Sequence, residues 1–110
     1  MPQLSNGLPA AALIMNKDEV LAILSASRID YTRFGVKSLA LFGSVARDEA
    51  QLGSDVDILV EFDGTPTFER YMDFKFLLED TLGRPVDLVE RQMLHPSLQS
   101  IVENEAIPVA

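Results

Sequence analysis

The segment VDILVEF, residues 56–62, places Val56, Ile58, Val60 and Phe62 on one side of an extended chain. Successive side chains of a strand point to opposite faces, so this run predicts a strand with that face on a core. The turn-forming stretch Gln51–Ser54 precedes it, and Asp63-Gly64-Thr65-Pro66 stops it. A second apolar run, Val36–Phe42 (VKSLALF), has the length of a buried strand and ends in Gly43-Ser44. A third, Val86–Val89 (VDLV), follows Gly83, a natural helix stop, and Pro85, a natural strand start.

Helical periods fill the spaces between these strands. Asn16 followed by Glu19 resembles a capping box, and Val20, Ile23, Leu24 and Ser27 form a stripe, which predicts a helix near 17–29 before a break at Gly35. A short helix over about 44–50 would take Ser44 as its N-cap. Over about 67–82, Phe68, Tyr71, Met72, Leu78 and Leu82 give a broad apolar face. Phe74 and Leu77 fall away from it, predicting exposed apolar surface. A final helix covers about 91–105, with a restart after His95-Pro96, and Ile107-Pro108-Val109 forms a tail. Strands alternating with helices predict an α/β or α+β sheet with helices packed on it.

A chain of 110 residues makes one small domain. Residues 1–14, with Pro2, Gly7 and Pro9 and no period, read as a flexible extension, leaving 15–110 as the domain and Met15 as a candidate initiator. The formal charge is -8, and the nine basic residues are scattered. This argues against direct nucleic-acid binding, which calls for a basic face. No run approaches the roughly 20 apolar residues that span a bilayer, and no Lys or Arg precedes Ala10–Met15 as in a secretory signal. A cytoplasmic location is the expectation. Without cysteine there is no disulfide framework and no thiolate site, so a bound metal would be held by carboxylate oxygens, favouring a hard cation such as magnesium.

Asp55 and Asp57 bracket Val56 and, two apart at a strand start, share a face. Asp is depleted in strands, so the pair asks for an explanation. Asp87 is an acid within the third apolar run. If the two strands are neighbours, three carboxylates converge and raise one another's pKa values, a penalty that divalent cations remove. Two metals sharing carboxylates are a standard device for moving a phosphoryl or nucleotidyl group. Upstream, Gly43 lets a ligand approach the backbone, Ser44 offers a hydroxyl and helix-start N–H groups, and Arg47, one turn on, adds a fixed charge for the same phosphates. Taken singly, each feature reads as a turn, a cap or a surface charge. The ordered combination is what carries information. His95, the only histidine, reads as a surface or capping residue. Glu61 to Asp63 read as a solvated strand end, and there is no Gly-x-x-x-x-Gly-Lys phosphate loop.

Together, GSVARDEAQLGSDVDILV, residues 43–60, resembles the signature of the minimal nucleotidyltransferases of the DNA polymerase beta superfamily: Gly-Ser-x-Ala-Arg-Gly, a spacer, then Ser-Asp-x-Asp and a hydrophobic strand. The resemblance implies a polymerase beta-like fold, a small mixed sheet flanked by helices. It implies that Gly43, Ser44, Arg47 and Ser54 bind the nucleotide. It further implies that Asp55, Asp57 and Asp87 are catalytic and hold magnesium, two ions being usual, with ATP as substrate. Asp87 would also polarise the incoming hydroxyl. Asp48 stands where the family usually has glycine. The chain has no room for the extra domains of polymerases, so the stand-alone members are the nearer likeness. These imply a helical HEPN-domain toxin as partner, neutralised by AMP transfer to its tyrosine. The alternative is a non-catalytic antitoxin that blocks its partner by binding alone. Oligomeric state and acceptor stay open. Two bound divalent cations would take the formal charge of -8 to -4.

Overall fold

The strictly alternating run becomes an inner strand of a four-stranded sheet. In this computed structural model residues 15–27, 29–51 and 53–109 are described. The extension expected at residues 1–14 lies outside them. The element order is α1 (Lys17–Ala26), a 3-10 turn (Tyr31–Phe34), β1 (Val36–Phe42), α2 (Gly43–Ala46), β2 (Val56–Phe62), α3 (Phe68–Leu82), β3 (Val86–Glu90), a second 3-10 turn (Arg91–Met93), α4 (Pro96–Glu105) and β4 (Ile107–Pro108).

The sheet order is β3-β2-β1-β4. β1 runs antiparallel to β2, with Leu39 opposite Val60 and Phe42 opposite Asp57. β3 runs parallel to β2, with Asp57 opposite Asp87. The expected mixed sheet is therefore present, with one strand more than the apolar runs indicated. Ile107 and Pro108, expected as a tail, pair with Leu41 and Ala40 of β1. Two residues carry no period, so only the edge of β1 could recruit them.

Val56, Ile58, Val60 and Phe62 are all buried. The Phe62 ring meets Phe74 edge-on at 6.2 Å, so this is the face that α3 covers. Val20 and Leu24 of α1 join Phe74, Leu78 and Leu82 of α3 in the same core. The expected face of α3 holds at Tyr71, Leu78 and Leu82 and fails at Phe68 and Phe74. Phe74 is fully buried, whereas Phe68 is 78% exposed. The true seam runs Tyr71, Phe74, Leu78, Leu82, spaced by three and four residues, which is one helical stripe. Phe68 lies in the first turn, outside that seam. Phe74 is enclosed by the rings of Tyr31, Phe34 and Phe62. The first two come from a 3-10 turn that the sequence did not announce.

Other boundaries follow from local chemistry. The capping box forms as expected, Glu19 N–H donating to Asn16 Oδ1 at 2.9 Å and Asn16 N–H to Glu19 Oε1 at 3.1 Å. The first helix nonetheless stops at Ala26 rather than near 29. The last helix does restart after His95, whose ring accepts the Ser97 N–H at 3.2 Å as a cap. Glu61 is not simply solvated: it takes the Arg91 guanidinium at 3.3 Å and the Ser38 hydroxyl at 3.3 Å. Among the described residues no helix is long and apolar enough to cross a membrane.

Candidate active site where Gly43 meets β2 and β3

The parallel register of β2 and β3 sets Asp57 directly opposite Asp87. Paired residues on neighbouring strands send their side chains to the same face, so the two carboxylates become neighbours. Asp55 lies just before β2 and adds its charge to Asp57 from outside the strand. Asp55 and Asp87 are exposed and Asp57 is half-buried.

This crowding shows in the titration of Asp57. Burial, then the charges of Asp87 and Asp55, push its carboxyl from an ordinary 3.8 up to about 6. A hydrogen bond with Asp87 acts in the same direction, and only Arg47 opposes it. Among the described residues no group of three acids or imidazoles is gathered tightly enough to form a ready metal cage. The donors are nonetheless hard carboxylate oxygens whose mutual repulsion a divalent cation would relieve, which is the chemistry magnesium requires.

Phe42 pairs with Asp57, so the chain leaves β1 directly over that carboxylate. Gly43 takes φ +76° there, and a Cβ on it would lie 2.0 Å from Asp57 Oδ2 and 3.0 Å from Asp57 Cβ. Only glycine fits such a passage. The following helix begins at Gly43 and ends at Ala46, shorter than the expected 44–50. Ser44 is consequently not its N-cap: that position is Phe42, without a side-chain hydrogen bond. Asp48 explains the early stop, since it adopts φ +56°, a left-handed conformation that ends a helix. Glycine suits that position, and Asp tolerates it better than most residues. The Asp48 carboxylate pairs with Lys17 at 3.4 Å at the start of α1.

Arg47 does converge on this region, through Glu105, a residue the sequence did not single out. Arg47 Nη1 donates to both Glu105 carboxylate oxygens at 3.2 and 3.1 Å, while Arg47 Nε donates to Glu49 at 2.7 Å. Glu105 Oε1 also accepts the Gly43 N–H at 3.0 Å. Ser54 is engaged locally, its hydroxyl accepting the Gln51 N–H at 2.9 Å to close the turn before β2. It lines a small cleft of about 90 Å³ with Val45, Val56 and Arg84. A broader concavity of about 880 Å³ lies away from the carboxylates, between the segment before β1 and α3, beside Arg33, Phe34 and Phe76. It holds none of the candidate site residues Gly43, Ser44, Arg47, Ser54, Asp55, Asp57 and Asp87.

Residues 27–109 match the family described as nucleotidyltransferase domain. The protein adenylyltransferase MntA of Thermococcus cleftensis is 36% identical over 97 residues, covering 87% of this chain and 98% of that protein. A solved structure described as a minimal nucleotidyltransferase superposes with a TM-score of 0.69 at 38% identity, covering 86% of this chain and 96% of the other. A chain from the complex of tri-AMPylated Shewanella oneidensis HEPN toxin with MNT antitoxin gives a TM-score of 0.59 at 20% identity over 82% of this chain and 71% of its own. At that identity it speaks for the fold.

Proposed function

The chain belongs to the nucleotidyltransferase domain family, and from that premise we propose that it is a magnesium-dependent protein adenylyltransferase. It transfers AMP from ATP to a hydroxyl on a partner protein, and the partner is a helical HEPN-type toxin that it neutralises. The relative named protein adenylyltransferase supports the transferred group, and the toxin–antitoxin complex of the same fold supports the partner class. The observation that carries the reading is the facing pair Asp57 and Asp87, overlaid by the Gly43 backbone.

The residues divide the work by position. Asp55, Asp57 and Asp87 would hold the cation. When bound, magnesium neutralises these acids and the charge that develops on the leaving pyrophosphate. Gly43 N–H and the Arg47 guanidinium supply donors for phosphate oxygens, with the Ser44 hydroxyl beside them. Asp87 lies on an edge strand and is exposed. It can accept a hydrogen bond from the incoming hydroxyl and hold it in line with the α-phosphorus. A bond forms from that oxygen to phosphorus, the bridge to the β-phosphate breaks, and pyrophosphate leaves. The hydroxyl proton passes through the carboxylates to solvent. Positioning and charge neutralisation carry the rate.

The test is incubation with labelled ATP, magnesium and the protein encoded by the neighbouring gene, followed by mass spectrometry of that protein. A tyrosine bearing one or more AMP groups is the expected product, lost in the Asp55→Asn/Asp57→Asn variant. Neutralisation that survives in this variant, with no transfer by either form, would establish the binding-only antitoxin instead.

A further inference from the structure

Glu105 reaches, at the end of α4, the two groups read above as phosphate donors. Its Oε1 accepts the Gly43 N–H from 62 residues away, and its two oxygens take Arg47 Nη1 from 58 residues away. These are long-range contacts made by the fold, not accidents of a local turn. We propose that the Glu105 carboxylate is a built-in phosphate mimic that closes the nucleotide subsite, and that ATP binds by displacing it. The proposal rests on the reading of Gly43 and Arg47 as phosphate ligands.

A carboxylate presents anionic oxygens to a guanidinium fork and to a backbone N–H much as a phosphate does. Donors that hold Glu105 cannot hold a phosphate with the same N–H bonds. The apparent nucleotide affinity is then the intrinsic affinity multiplied by the fraction of molecules in which Glu105 has left. Glu49 does not compete in this way. It bonds Arg47 Nε from two residues away, and keeps the guanidinium oriented whichever anion occupies the other side.

The structure makes the exchange easy. The Glu105 side chain is 26% exposed, so it has a path to water. α4 has no buried residue, so a shift of its last turn opens no core. The chain beyond is pinned, with Leu41 paired to Ile107 and the Val109 N–H bonded to Leu39 carbonyl at 2.8 Å. Glu105 can swing out without unravelling the sheet edge. The opposite role, a clamp that orients Arg47 for the nucleotide, predicts the opposite sign on substitution.

The experiment is calorimetric titration of ATP, with and without magnesium, into the wild type, Glu105→Ala, Glu105→Gln, Arg47→Ala and Glu103→Ala. Circular dichroism and thermal melts establish that each variant is folded. Glu105→Ala should tighten ATP binding by roughly tenfold or more. Glu105→Gln should tighten it less, because its carbonyl still accepts the Gly43 N–H. Glu103, which pairs with Arg91, should be indifferent. In the wild type the Glu105 carboxyl carbon resonance should move towards its solvent-exposed value as ATP is added. Unchanged or weakened binding in Glu105→Ala, with Arg47→Ala impaired, overturns the mimic alone. ATP binding that ignores Arg47→Ala overturns the phosphate reading and the mimic with it.

Discussion

Gly43 and Asp57 touch so closely that residue 43 has no room for a side chain: an added Cβ would stand 2.0 Å from the carboxylate oxygen and 2.8 Å from its carbon. The 3.0 Å approach to Asp57 Cβ means that turning the carboxylate alone would not relieve the clash.

Gly43→Ala should therefore cost about 2–5 kcal/mol, the sum of a left-handed backbone penalty and overpacking. Gly53 has φ +85° but nothing within 4 Å of an added Cβ, so Gly53→Ala should cost only about 1–2 kcal/mol. Urea titration of both variants isolates the Asp57 contact as the difference. Equal losses would mean the contact carries no strain.

Asp57→Asn should stabilise the metal-free protein while removing transfer. Between pH 3.8 and about 6 folded Asp57 keeps a proton that the unfolded chain has released. The folded state then binds more protons, so stability falls as pH rises through this window and stays lowered above it. Because the carboxylate is partly exposed, the penalty at pH 7.5 is about 1–2 kcal/mol after screening. Thermal melts in chelator should show the variant above wild type at pH 7.5 and level with it near pH 3.5. A variant that melts lower at pH 7.5 would contradict this.

Asp48→Gly should leave stability within about 1 kcal/mol, since relief of the φ +56° backbone offsets loss of an exposed ion pair with Lys17. Asp48→Val, β-branched at the same angle, should lose about 1–2 kcal/mol. Urea midpoints rank the three forms. ATP affinity should change by less than about twofold in Asp48→Gly, because the carboxylate is paired at the start of α1. A large gain in affinity would show that Asp48 acts on the phosphates.

Phe74→Ala should cost about 3–5 kcal/mol and Phe68→Ala less than about 0.5 kcal/mol. The first empties the centre of the core and the second trims a side chain that is 78% exposed. Denaturation of both variants decides the phase of α3 directly.

Much of the candidate site was legible because its signals are local. Gly43, Asp55 and Asp57 fall within one stretch of motif, and the resemblance carried by residues 43–60 led to the family that residues 27–109 match. Asp87 could be proposed only on the condition that β2 and β3 are neighbours. Glu105 was illegible, since an acid near the end of an exposed helix looks like many others until the fold brings it to Gly43. The 3-10 turn at Tyr31–Phe34 hid for a similar reason: its rings have no period of their own and are ordered by Phe74.

The sequence by itself determined what depends on neighbours along the chain: the alternation of β2, the capping box of α1, the stop at Gly83 and the order of the acidic motif. Only the tertiary structure decided which strands pair, which face of α3 is inward, that two tail residues make a strand, and that Glu105 rather than solvent meets Arg47 and the Gly43 N–H. Local dihedral preference and side-chain period act over a few residues and can be read in order. Pairing register and charge compensation join residues as far as 62 positions apart, and they exist only once the sheet has closed.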